Sequence, residues 1–388
     1  MTGAGMTDPI ATARGFHAEI AARAGEIEQA RRLPHDLARK FADAGLYRIT
    51  VPRAFGGAEE SPATFLGMLE ALAEADASAG WCLMIGTTTA LNGAYLPADV
   101  AATIFGQANV ITGGVFAALG KAIREGDNYR VSGRWPWASG SQNCDWLSGG
   151  CVVIEDGKPK LLANGMPDSR MMLFPANKAV LHDTWHTSGM CGTGSLDMEV
   201  TDLLVPASHA VSLITDRPRE PGPLYAFPVF GLLAMGISAV ALGNARGAIN
   251  ELIDLAGAKR PTGSRKVLAE RPVVQAEVAQ AEAKLRGARA FLFEATEEAW
   301  ADAQATGAIS AEKRAALRLA ATHMTHTAAA VVDVMYTHAG GTPVYNKSSL
   351  QRRFRDAHVM TQHMMIAPPT WELAGRVLLG LETDTSTL

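Results

Sequence analysis

The chain has few cysteines, no long run of one charge and no extended apolar stretch, and each shortage removes a class of function. Its four cysteines, Cys82, Cys144, Cys151 and Cys191, form no C-x-x-C pair and no zinc spacing, so reduced thiols and no metal site are expected. Lysine and arginine total 35 against 39 aspartates and glutamates, a net charge of −4. The basic clusters, Lys259-Arg260 and Arg352-Arg353 with Arg355, are short. No nucleic-acid partner is expected from that balance. No apolar run reaches the ~18 residues that a membrane helix needs. The opening MTGAGMTDPIATARG carries neither the basic nor the apolar region of a secretory signal. The expected location is the cytoplasm, without a membrane.

What is present reads as a large globular protein. The 388 residues are 48% hydrophobic and 19% charged, enough for two or three domains around cores that need no staples. From 1 to 105 the texture is helical: FHAEIAARAGEIEQARRLPHDLARKFADAGLYRI is rich in Ala, Glu, Arg and Leu near a 3.6 period. Pro34 is expected at the start of a new helix, and Ser61-Pro62 as a cap and first-turn pair. From 106 to 215 glycines, aromatics and β-branched residues with frequent turn signals predict a β domain. From 216 to 388 four long amphipathic segments predict a helical bundle. The expected fold is α+β, in the order helices, strands, four-helix bundle.

The stretch RFRDAHVMTQHMM, 353–365, packs two arginines, an aspartate and two histidines among Val359, Met360, Met364 and Met365. As a helix it sets His358 about 140° from His363, so only one of the two faces any given site. His363 can serve a reaction as a proton donor or base titrating near neutrality. Taken by itself it reads more readily as a helix-interior histidine bonded to a neighbouring subunit. His182 and His186 are four apart, but on a strand that separates their Cα atoms by about 13 Å, which excludes a shared zinc. His323 and His326, three apart on one helical face, fit a subunit interface better than a metal.

GRWPWASGSQNCDW, DTWHTSGMCGTGS and AGGTPVY…LQRRFRDAH, in this α–β–α order, resemble the acyl-CoA dehydrogenase superfamily over nearly the whole chain. Within it the chain looks most like the flavin-dependent monooxygenases that share the fold. That resemblance implies reduced FMN or FAD as cofactor, delivered by a separate NAD(P)H:flavin reductase, and O2 as co-substrate. It implies oxygen transfer through a flavin C4a-hydroperoxide to a small apolar, aromatic or heteroatom substrate, in a homotetramer. By the same resemblance Trp137 is a wall for the flavin ring, Ser139 bonds its N5 edge, and Gly140 lets the backbone approach. Thr193 and Ser195 position a second flavin-side loop, Arg271 contacts a phosphate, and Gly340-Gly341 meets a neighbour's flavin. His363 lies at the flavin's reacting edge. Trp81, Met84, Thr88, Tyr95, Met360 and Met364 line an adaptable substrate pocket.

The sequence departs from the family at four points, one being Thr87-Thr88-Thr89 where some aromatic hydroxylases carry a histidine as phenolate base, which speaks against hydroxylation of a phenol. Gln362, His363, Met364 and Met365 stand where the dehydrogenases carry a glutamate base, and the next acid downstream is Glu372. Cys191 replaces a common arginine in G-x-R-G-T-G-S, and LAERPVVQ lacks the Phe-Gly of the usual FAD-tail phrase. Two further readings stay open: an acyl-CoA dehydrogenase whose base sits on an earlier helix, Glu251 being a candidate, and a flavin-binding homologue without catalysis.

Overall fold

The computed structural model of the chain describes residues 8–385 and Leu388. Six helices come first: α1 (Pro9–Gly15), α2 (His17–Ala30), α3 (His35–Asp43), α4 (Pro62–Ala73), α5 (Ala77–Ala90) and α6 (Ala98–Phe105). Their starts follow from local chemistry. Ser61 Oγ accepts the Thr64 N–H with Pro62 at the first helical position, as expected of that pair. Asp76 caps α5 by accepting the Ala79 N–H at 3.0 Å. Pro34 sits one place before the first turn of α3 rather than in it.

Eight strands follow: β1 (Thr112–Glu125), β2 (Asn128–Ala138), β3 (Trp146–Glu155), β4 (Lys158–Pro159), β5 (Ser169–Pro175), β6 (Val180–His182), β7 (Leu196–Pro206) and β8 (Ala210–Val211). The sheet runs β6-β7-β2-β1-β3-β5-β8, with β4 hung on β3, and only the β1–β3 pairing is parallel. Its core is built around Trp135, wholly buried, whose indole N–H donates to Gly150 O at 2.7 Å. A Cβ on Gly120, Gly133 or Gly149 would lie 2.4, 2.7 or 2.6 Å from that ring. The glycines of these strands therefore make room for one large side chain. Burying its ~200 Å² is worth on the order of 5 kcal/mol in transfer free energy.

The last part holds α7 (Val229–Ala258), α8 (Pro272–Thr306), α9 (Ala311–His338), α10 (Ser349–Met360) and α11 (Pro369–Leu378). Helix α9 packs on α7, α8, α10 and α11, while α7 also carries α4 and α5. By length and apolarity α7 could cross a bilayer, contrary to the expectation that no stretch would qualify. However, 83% of its most apolar window is buried inside the protein, where it is the shared core helix.

The fourth bundle segment is shorter than expected. Helix α10 stops at Met360, where the Thr361 hydroxyl donates to His358 O at 2.7 Å and competes with the helical ladder. His363 is therefore on a turn between α10 and α11, not in a helix interior.

Candidate functional site

Three segments far apart in sequence meet beside the middle of α5: the end of β2, the loop before β7 and the turn after α10. At the end of β2 the pairing with β7 shifts register between Trp135 and Ala138, and Trp137 adopts φ +64°. Its indole is left 67% exposed, a free aromatic face at the edge of the sheet. Two residues on, Ser139 is buried and Gly140 takes φ +70°, a conformation that glycine adopts without strain. The Gly140 N–H donates to Thr193 O at 2.8 Å, which ties this turn to the second loop.

A single file of hydroxyls joins the two. Trp81 Nε1–H donates to Ser139 Oγ at 3.1 Å; Ser139 and Ser195 Oγ are 2.6 Å apart, as are Ser195 Oγ and Thr193 Oγ1. Thr193 Oγ1 donates to Met190 O at 2.8 Å. Because that last acceptor is a carbonyl, every proton in the file has one direction. Ser139 gives its hydrogen to Ser195, and Ser195 gives its own to Thr193. Beside Gly140, Ser141 Oγ and Gln142 Oε1 are buried without a partner among the described residues. Such unmatched polar atoms are costly unless something else bonds them. An exposed aromatic face, a hydroxyl edge and unpaired polar atoms together fit a planar ring with a polar rim, as a flavin is.

His363 meets this group through Trp81, their rings 5.8 Å apart in an edge-to-face arrangement. Its Nδ1 accepts the Met365 N–H at 3.2 Å, which leaves the proton of the neutral ring on Nε2. Burial, then the nearby Arg318 charge, push its pKa down to about 4. The histidine is thus a neutral N–H donor at pH 7 rather than a group titrating there, which corrects the expectation from the sequence.

The acids near these segments are engaged elsewhere. Glu251 accepts from Arg353 Nε at 2.7 Å and from Ser349 Oγ, and Glu372 is exposed in the first turn of α11. Asp356 is buried behind the second loop and accepts the Met190 N–H. No local pattern points to that bond, since Asp356 and Met190 are 166 residues apart.

Several expected site residues lie apart from this cluster. Met84 is buried against α7, close enough that a Cβ on Gly236 would meet its Cγ at 2.7 Å. Thr88 Oγ1 donates to Met84 O within its own helix. Tyr95 lines a separate cleft of about 520 Å³ with Arg170, Arg217 and Arg219. Met360 is buried, but Met364 points out, 72% exposed, because the chain has left the helix there. Arg271 is exposed before α8, and Gly340-Gly341 follows α9, with Lys259 Nζ bonded to Ala339 O and Thr342 Oγ1. No hydrogen bond joins Arg271, Gly340 or Gly341 to the hydroxyl file. His182 bonds Glu199, and His186 faces Arg31 and Asp183.

The chain is similar to known proteins over most of its length. Residues 10–96 match the acyl-CoA dehydrogenase N-terminal domain and residues 235–368 the acyl-CoA dehydrogenase C-terminal domain. The chain is 35% identical over 361 residues to an indole-3-acetate monooxygenase of Pseudomonas putida, covering 92% of this chain and 90% of that one. It is 27% identical to the oxygenase component of an FADH2-dependent resorcinol hydroxylase of a Rhizobium species, over 92% of this chain and 91% of the other. The crystal structure of the HsaA monooxygenase from Mycobacterium tuberculosis superposes with a TM-score of 0.90 at 25% identity, covering 98% and 99% of the two chains.

Proposed function

This chain belongs to the acyl-CoA dehydrogenase family, among its flavin-dependent monooxygenases, and on that premise we propose how its own residues take part. The substrate is a small, largely apolar aromatic molecule, the class to which indole-3-acetate and resorcinol belong. Bound reduced flavin, FMN or FAD, supplies two electrons, so that one atom of O2 enters the substrate and the other leaves as water. Trp137 offers its exposed ring as a wall for the flavin. Ser139, at the head of the hydroxyl file, turns its remaining lone pair to the polar rim, its hydrogen being given to Ser195. His363 donates from Nε2 to an oxygen at the reacting edge, and Trp81 keeps that edge apolar and dry.

One observation carries this reading: where Trp81, Ser139 and His363 converge, the available donor is a neutral imidazole, while Glu251, Glu372 and Asp356 are bound or directed elsewhere. A dehydrogenase needs a free carboxylate at that place. An oxygenase needs a donor that stays protonated on one nitrogen through the working pH range.

The reduced flavin comes from a separate NAD(P)H:flavin reductase, in keeping with a relative that is one component of a larger system. The chain assembles as a homotetramer in the cytoplasm; its four free cysteines suit a reducing compartment. The test mixes protein and anaerobically reduced flavin with 18O2 and an aromatic panel that includes indole-3-acetate and resorcinol. One 18O atom per product is expected, reduced at least tenfold in His363→Ala. Flavin bleaching by an acyl-CoA without any reductase, with no labelled product, would instead make the protein a dehydrogenase.

A further inference from the structure

We propose that Asp356 is a positioning residue, whose carboxylate sets the hydroxyl file against the flavin through the backbone of Met190. The inference rests on the reading above that Ser139 meets the flavin rim.

Met190 is where the two halves join. Its N–H donates to Asp356 Oδ1, and its carbonyl accepts from Thr193 Oγ1 and from the Trp185 indole at 3.1 Å. It is held at φ +52°, which a branched-free but bulky side chain adopts only under constraint. The surrounding loop has no slack. A Cβ on Gly189 would fall 2.5 Å from the Arg355 carbonyl carbon and 2.8 Å from Asp356 N, and one on Gly192 would fall 2.2 Å from Ile27 Cγ2. The loop is therefore pressed directly on the backbone of α10, and the one side chain of that helix that bonds the Met190 amide is Asp356.

A carboxylate in this position has a cost that structure alone does not call for. Asp356 is 3% exposed, and Asp76, the buried cap of α5, faces it with a second negative charge. Arg352 of α10 opposes both, Arg353 opposes Asp76 and Arg355 opposes Asp356, but Arg352 and Arg355 are shared with Glu28 of α2, and Cys191 borders the group from the loop. Burial first, then Asp76, raise the Asp356 pKa to about 7, against the Met190 N–H and the two arginines. A neutral amide would sit there with less penalty and still accept the Met190 N–H. The charge thus has a use beyond packing: the ionised form grips the amide more firmly than the protonated form. As pH rises through neutrality the Met190 turn, and with it Thr193, Ser195 and Ser139, becomes more firmly fixed.

The test is binding of oxidised FMN and FAD to the full protein, followed by flavin fluorescence from pH 6 to pH 8.5. The wild type should bind about fivefold more tightly at the upper end, with a midpoint near 7. Asp356→Asn should bind with an affinity that does not vary with pH and, freed of a buried charge, should melt above the wild type at pH 8. Thr193→Val, which cuts the file while leaving Asp356 in place, should also lose the pH dependence, and it decides the matter if Asp356→Asn does not fold. A midpoint near 7 that persists in either variant overturns the inference. If the wild type binds neither flavin at any pH, whether oxidised or anaerobically reduced, the functional reading is overturned instead.

Discussion

Trp135 and Trp137 are two residues apart on one strand, and a period of two would put them on the same face of the sheet. One is wholly buried and the other 67% exposed. The register shift after Trp135 and the left-handed backbone at Trp137 turn the second indole out of the sheet. The first ring solves a packing problem, with three glycines cleared around it; the second is presented at the site at the cost of a strained φ. Chemically identical side chains on adjacent same-face positions thus serve stability and function separately, and the irregularity between them does the separating.

The largest effect that would break this contrast is in the core. Trp135→Ala should lose about 3–5 kcal/mol of stability or fail to fold, whereas Trp137→Ala should change stability by no more than about 0.5 kcal/mol, both read by denaturant titration. Equal losses would make the two rings equivalent. The next effect concerns the site's histidine. With its pKa held near 4 in the fold, His363 takes up a proton less readily than in the unfolded chain. Stability should therefore fall as pH drops from about 6.5 toward 4, by roughly 2 kcal/mol after allowance for its partial exposure. His363→Asn should escape that loss, and parallel wild-type and variant curves of Tm against pH would show that the ring is not held neutral. The smallest effect sharpens the strain itself. Trp137→Gly should stabilise the apo protein by about 1 kcal/mol, because glycine accepts the positive φ that tryptophan resists, while it weakens flavin binding. Loss of stability in that variant would mean that the indole is part of the fold rather than of the site.

The broad architecture was legible because it depends on local chemistry. Ser61-Pro62 caps α4, the glycine-rich stretch becomes the sheet, and the long apolar periods become α7, α8 and α9. The finer placements depend on single competing bonds. Thr361, by donating back to His358 O, ends α10 and swings His363 and Met364 off the helix, which no hydropathy pattern records. Met84 and Tyr95 lie in a stretch that reads as one lining surface, yet α7 takes the first and the Arg170–Arg219 cleft the second. The bond from Asp356 to Met190 crosses 166 residues and joins groups with no spacing to search for. Local rules reach the elements; which atoms face each other across them is decided by packing.

The uniform direction of the hydroxyl file has one more consequence. Polarity in such a row is a collective property: if an incoming acceptor draws the Ser139 hydrogen toward itself, Ser195 and Thr193 can restore their bonds by swinging round in turn. The Met190 carbonyl then loses one of its donors and keeps the Trp185 indole. Like a short ferroelectric column, the row has two orderings and no stable mixture of them, so an event at one end is registered at the other without any atom heavier than hydrogen having to travel.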